Sequence, residues 1–74
     1  SVLAGTPEAS AAYRKLVEGA MTGNTQAMAE AMAAGASVNQ LDGSKLPPLA
    51  HAIASGNAES VRWLLAQGAD FKQT

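Results

Sequence analysis

The sequence predicts an all-α fold of four helices, built as two stacked helix-turn-helix units joined by a short extended turn. Three observations predict it. Apolar residues recur at three- and four-residue steps, as Tyr13, Leu16, Val17 and Met21 and again as Val61, Leu64 and Leu65. Glycine-asparagine pairs, Gly23-Asn24 and Gly56-Asn57, interrupt both stretches. A shift of 33 residues then lays the second half on the first without a gap. Leu16 falls on Leu49, Met28 on Val61, Ala31-Met32 on Leu64-Leu65, Gly35-Ala36 on Gly68-Ala69 and Val38 on Phe71. Each two-helix unit has an apolar face it cannot bury alone, so such units stack side by side.

Residues 1–6 read as a flexible lead-in, 7–40 as the first unit and 41–74 as the second. Thr6 can cap free N–H groups, Pro7 suits the first helical position, and Glu8 suits the positive end of the helix dipole. The first helix covers Glu8 to Met21 and ends at Gly23. Asn24 caps the second, which spans TQAMAEAMAA with Met28, Ala31 and Met32 inward and ends at Gly35. Residues 35–40 are an extended connector with Val38 inward. Leu41 to Lys45 is an exposed turn, because Asp42 and Gly43 are strong turn formers. Pro47-Pro48 stops any preceding helix and starts the third, Pro48 to Ser55. The fourth, Ala58 to Gln67, is capped by Asn57 and closed by Gly68. Val61, Leu64 and Leu65 take its inner face, with Trp63 about 100° away from its neighbours.

The stretch from Leu46 to Lys72 resembles one ankyrin repeat. Pro48-Leu49, Ala52, Gly56, Val61, Leu64-Leu65 and Gly68-Ala69-Asp70 match the family's T-P-L-H-x-A opening, glycine turn, V-x-x-L-L helix and G-A-D close. The first unit is similar to a degenerate, cap-like N-terminal repeat. There Tyr13-Arg14-Lys15-Leu16 replaces the T-P-L-H opening, and the helix starts earlier. The second unit departs at Pro47 and Ala50, where the family has Thr and His, so the side-chain hydrogen bonds usual at that helix start are expected to be lost. Lys45 stands where the family prefers Gly.

The resemblance implies a non-catalytic module that binds a protein partner through its turn and inner-helix surface. Carried over by position, that surface is Gly43, Ser44 and Leu46 at the turn, Ala54 and Ser55 at the end of the third helix, and Gln67. Leu41 and His51 are its neighbours. Two other readings accompany this one. Two repeats fall short of the about three that stacked repeats usually need. The chain could then be a homo-oligomerisation unit, with Trp63, Leu65 and Phe71 at a symmetric interface. Or it could be a piece of something longer, the targeting appendage of a larger enzyme or effector.

Composition narrows the alternatives. The 74 residues bound a single domain. Five Lys and Arg are spread along a chain of net charge −1, which argues against nucleic acid and against an anionic membrane surface. Without cysteine there is no disulfide or thiolate chemistry, and the compartment stays open. No targeting segment is seen and no apolar run approaches the about 18 residues of a membrane span, so a soluble domain is expected. Alanine is the commonest residue and large apolar side chains are few, so stability is expected to be marginal.

No catalytic residue, cofactor, metal or small-molecule substrate is expected. His51 is the single histidine, has no cysteine to share a metal with, and has no carboxylate in reach by spacing. The carboxylates fall at helix starts, exposed faces or turns. Glycines 19, 23, 35, 43, 56 and 68 are expected at helix ends or turns, with no Gly-Lys-Ser/Thr of a phosphate loop. Met28 and Met32 are expected in the core.

Overall fold

A computed structural model describes residues 7–73. The lead-in and the Thr6 cap lie outside the described residues, as does Thr74. The fold is all-α: α1 (Pro7–Thr22), α2 (Thr25–Ala33), α3 (Pro48–Ala54) and α4 (Ala58–Ala66), followed by a 3-10 turn at Phe71–Gln73. Among the described residues there is no strand. α1 packs on α2, and α3 packs on α4, giving two helix-turn-helix pairs. α1 also packs on α3 and α4, so it is the helix the other three share.

The breaks repeat as the sequence predicts. Gly23 and Gly56 take left-handed φ of +77° and +69°, a conformation that costs other residues. Asn24 and Asn57 then cap α2 and α4 by accepting from Ala27 N and Ser60 N, each at 3.0 Å. α2, α3 and α4 each end one residue before the expected position. Ala34, Ser55 and Gln67 are C-caps with ψ of 4°, −6° and 4°, flattened out of the helix as the last carbonyls are satisfied. The 35–40 connector is also less extended than expected. It turns at Val38-Asn39, closed by Gln40 N–H to Ser37 O at 3.2 Å.

Leu16, Ala20, Met28, Ala31, Leu49, Ala52 and Leu64 form the fully buried centre, with Ala12, Ala36, Val38 and Ala69 around it. The small side chains let the helices approach closely. Met32, Val61 and Trp63 pack partly buried against this cluster. Pro47 and Pro48 are fully buried too.

The inner face of α4 differs from the expected one. Leu65 is 42% exposed, whereas Ser60 is fully buried. At about 100° per residue, the inward direction lies between Ser60 and Leu64. Val61 and Trp63 then sit about 80° to either side, and Leu65 about 120° away. A serine at the centre of the buried face hides this rotation from an apolar count.

Three other expectations are corrected. Met21, on the apolar stripe of the first helix, is exposed, as is the large apolar Ile53 of α3. Phe71, the positional equivalent of buried Val38, is 66% exposed because it opens the 3-10 turn instead of a connector. Gly19 is neither a helix end nor a turn but lies inside α1. A methyl group there would meet Met28 Cγ at 2.8 Å and Asn24 O at 3.0 Å, so its missing side chain lets α2 close onto α1. Its carbonyl accepts from Asn24 N at 3.0 Å and faces Ser60 Oγ at 3.5 Å, joining three helices.

Asn39 ties the ends of the two pairs together. Its Nδ2 donates to Gly68 O at 3.2 Å, and its Oδ1 accepts from Asp70 N at 2.8 Å.

Candidate functional site

The turn between the pairs is built around Asp42. Its Oδ1 accepts from Ser44 N at 2.8 Å and from Leu46 N at 3.0 Å, a side-chain cap that bends the backbone locally. Its main chain joins in: Asp42 N donates to Leu46 O at 3.0 Å, and Asp42 O accepts from Lys45 N at 2.9 Å. Lys45 pays no side-chain bond for this and sits at φ of 64°, in the left-handed region. Gly43 does not need that freedom, since no φ in that range occurs there.

The second carboxylate oxygen, Asp42 Oδ2, lies 2.7 Å from His51 Nε2 on α3. The histidine therefore does reach a carboxylate, contrary to the expectation from spacing. The chain reverses between the two residues, and nine positions of separation become one hydrogen bond. From the other side, the Tyr13 hydroxyl of α1 sits 3.0 Å from Gln40 O and 3.1 Å from Leu46 O, so its single proton is shared between them. The turn is thus fastened to both helices it passes.

The electrostatics follow the bonding. The Asp42 carboxyl is held below the ordinary carboxylate value by the Leu46 N–H first, then by His51 and by the Ser44 N–H. The Tyr13 phenol is pushed up to about 12, chiefly by burial and secondly by the Asp42 charge. Tyr13, Arg14, Val17, Glu18, Asp42 and His51 line a cleft of 310 Å³ between α1 and the start of α3.

The structure gathers some of the expected binding residues and separates others. Leu41, Gly43, Ser44 and Leu46 are all exposed on the turn, and half-buried His51 stands beside them at the cleft. Ala54 ends α3 and Ser55 caps it, both exposed, about 10 Å along the helix from its start. Gln67 is exposed at the C-cap of α4, the other helix of the pair. Of the expected self-association residues, Trp63 packs half-buried on the core of its own chain, while Leu65 and Phe71 are exposed.

Sequence reasoning placed Asp42 in the turn as a turn former but missed its side-chain cap and the tie from Tyr13. For Asp42 a signal was present: an aspartate two residues before a backbone N–H in a glycine-containing turn commonly caps it. Positions 47 and 50 hold Pro and Ala, not Thr and His. Pro47 makes no side-chain cap bond, as expected. Asp42, His51 and Tyr13 tie this region instead.

Among the described residues, no group of three or more His, Cys, Asp or Glu gathers as a metal site. Among the described residues, no helix is long and apolar enough to cross a membrane. No protein-family model matches this chain, and no curated protein matches it.

Proposed function

We propose that the chain is a non-catalytic protein-protein interaction module of the ankyrin-repeat type. It binds a protein partner through the Leu41–Leu46 turn and the adjoining surface of α3, with His51 beside the turn. Ala54 and Ser55 extend that surface to the far end of α3, and Gln67 on α4 is its outlying member.

The observation that carries this reading is the turn. Its exposed Leu41 and Leu46 are flanked by five backbone and side-chain bonds to Asp42 and by the Tyr13 hydroxyl. A surface ordered before it meets its partner loses less entropy on binding. A few such contacts then dominate the affinity. The left-handed Lys45, at the position where the family prefers Gly, and the pairing of helices at a 33-residue period support the ankyrin type. The Asp42–His51 contact is a lock on the turn, since the other Asp42 oxygen is engaged by the backbone.

The test uses a random peptide library selected against the intact chain. Each selected peptide is measured again on Leu46→Asp, whose helicity is checked by circular dichroism. Expected is a loss of about tenfold or more, about 1.4 kcal/mol, with helicity kept. Peptides that bind Leu46→Asp as tightly as the original chain would place the binding surface elsewhere.

A further inference from the structure

The sequence contains a single aspartate or asparagine followed by glycine, the Asp42-Gly43 step, and it lies in the turn between the two helix pairs. Such a step is reactive in any chain. The amide nitrogen of the following residue can attack the aspartate carboxyl, and glycine carries no side chain to shield that nitrogen. Gly43 is exposed, and a methyl group built on it would meet nothing within 4 Å. Its N–H takes no part in the bonding of the turn, which runs through the amides of Asp42, Ser44, Lys45 and Leu46. The nucleophile is therefore free and uncrowded.

The electrophile, by contrast, is held. Asp42 Oδ1 accepts from Ser44 N at 2.8 Å and from Leu46 N at 3.0 Å, and Oδ2 lies 2.7 Å from His51 Nε2. Bonds of this kind favour the charged carboxylate. That form is unreactive, because it has no leaving group until it takes a proton. The same bonds keep the carboxyl from swinging onto the Gly43 nitrogen. The Tyr13 hydroxyl, 3.1 Å from Leu46 O, holds the far end of the turn. The other aspartate supplies a comparison. Asp70 Oδ1 accepts from Lys72 N at 2.9 Å in the same two-residue pattern, but Phe71 follows it, and a substituted Cα crowds the attacking nitrogen.

The turn can open by itself. Leu41, Gly43, Ser44, Lys45 and Leu46 are all exposed, so their release leaves the buried core in place. The left-handed Lys45, at φ of 64°, strains the closed form.

We propose that Asp42-Gly43 is a spontaneous modification site, whose conversion to isoaspartate is gated by the opening of the turn. In the open turn the Gly43 nitrogen bonds to Asp42 Cγ. The nitrogen gives up its proton and the carboxyl one oxygen, which leave as water, and a five-membered succinimide remains. Water then adds back to one of its two carbonyls. Cleavage of the nitrogen–Cγ bond restores aspartate. Cleavage between the nitrogen and the main-chain carbonyl carbon of Asp42 leaves the chain running through Cγ, and the product has the composition of the starting chain. This linkage puts one more carbon into the main chain and takes one from the side chain. The carboxylate then no longer caps Ser44 and Leu46 while meeting His51, so the closed turn is lost for good. The chemistry belongs to the turn itself and does not depend on the partner it meets.

The experiment incubates the intact chain at neutral pH, folded and in guanidinium chloride. Residue 42 is followed by mass spectrometry after digestion with an endoprotease that cuts before aspartate but not before isoaspartate. Expected is isoaspartate at residue 42 in both samples, forming about tenfold or more slower in the folded chain. A smaller difference, a faster folded chain, or no isoaspartate in the unfolded one overturns the proposal. So does conversion of Asp70 as fast as that of Asp42 in the unfolded chain. In the folded chain, His51→Ala removes one of the holding bonds and is expected to speed the conversion by about threefold or more, with helicity kept by circular dichroism. Tyr13→Phe is expected to act in the same direction and takes its place should His51→Ala lose helicity. A rate unchanged or lowered in the folded variant would mean that these bonds do not hold the reaction back, and overturns the gate.

Discussion

The hydroxyl of Tyr13 stands 3.1 Å from the carbonyl oxygen of Leu46, 33 residues further along the chain. A side chain of the first pair therefore sets the position of the turn in the second. Tyr13→Phe keeps the ring and removes this donor from two carbonyls. Its expected cost is about 1 kcal/mol. For a domain of this size, that lowers the thermal midpoint by about 4–8 °C, read by circular dichroism. An unchanged midpoint would mean that the turn does not depend on the tie.

Tyr13 is the single tyrosine, so phenolate absorbance reports on it alone. Its value is raised from 10.0 to about 12, which means the fold favours the neutral phenol. The resulting stability is fully present below pH 10 and is lost as pH rises from there through about 12. Ultraviolet titration is expected to show phenolate near pH 12. A folded chain that ionises at its ordinary value would contradict the burial argument.

Asp42 works at the acid end. Its carboxyl is held low by the Leu46 N–H and by His51, so the fold favours the charged form. That contribution is present above the ordinary value of 3.8 and is lost as pH falls through the lowered one. The stability gap between the original chain and Asp42→Asn is therefore expected to be open near neutrality and to close in acid. Urea melts of both chains at stepped pH measure it, and a gap independent of pH would remove Asp42 from the acid response.

Backbone strain separates two neighbouring turn positions. Lys45 is left-handed and Gly43 is not. Lys45→Gly is expected to stabilise by about 1 kcal/mol, because the side-chain penalty in that region is relieved. Gly43→Ala is expected to be neutral or to stabilise by about 0.5 kcal/mol, through the unfolded chain. Urea midpoints of the two variants test the assignment, and a reversed order would contradict it.

Gly19→Ala sets two effects against each other. Alanine gains about 1 kcal/mol in helix propensity over glycine. The added methyl meets Met28 Cγ at 2.8 Å and the Asn24 backbone at 3.0 Å, and Met28 is fully buried with little room to yield. Overpacking of that kind costs about 1–3 kcal/mol. The clash wins, and a net loss of about 1 kcal/mol is expected in urea unfolding. A gain would show that α2 can move away from α1 at little cost.

The helices and their breaks were legible because Gly23-Asn24 and Gly56-Asn57 punctuate locally, through backbone freedom and capping that need no distant partner. The 33-residue register was legible for the same reason. Burial was less so. Ser60 and Leu65 exchanged places because the rotation of α4 is fixed by α1, and a polar residue marks its centre. Phe71 lost its match with Val38 because a 3-10 turn replaced the connector. At the turn, Leu41, Gly43, Ser44 and Leu46 could be read as exposed from their neighbours alone. The bonds from Tyr13 and His51 could not, since each depends on how the chain returns past its own earlier course.

α1 packs on each of the other three helices. In most stacked arrays each unit leans only on the next, and unravelling can begin at either end. Here the two ends are unequal. Opening at Phe71–Gln73 leaves the four helices in place and is a local event. Opening at α1 takes away the one surface that α2, α3 and α4 hold in common, so it amounts to losing the whole molecule. The slowest-exchanging amides should therefore gather around Leu16 and Ala20, and the chain's lifetime is set by how long that first helix stays closed.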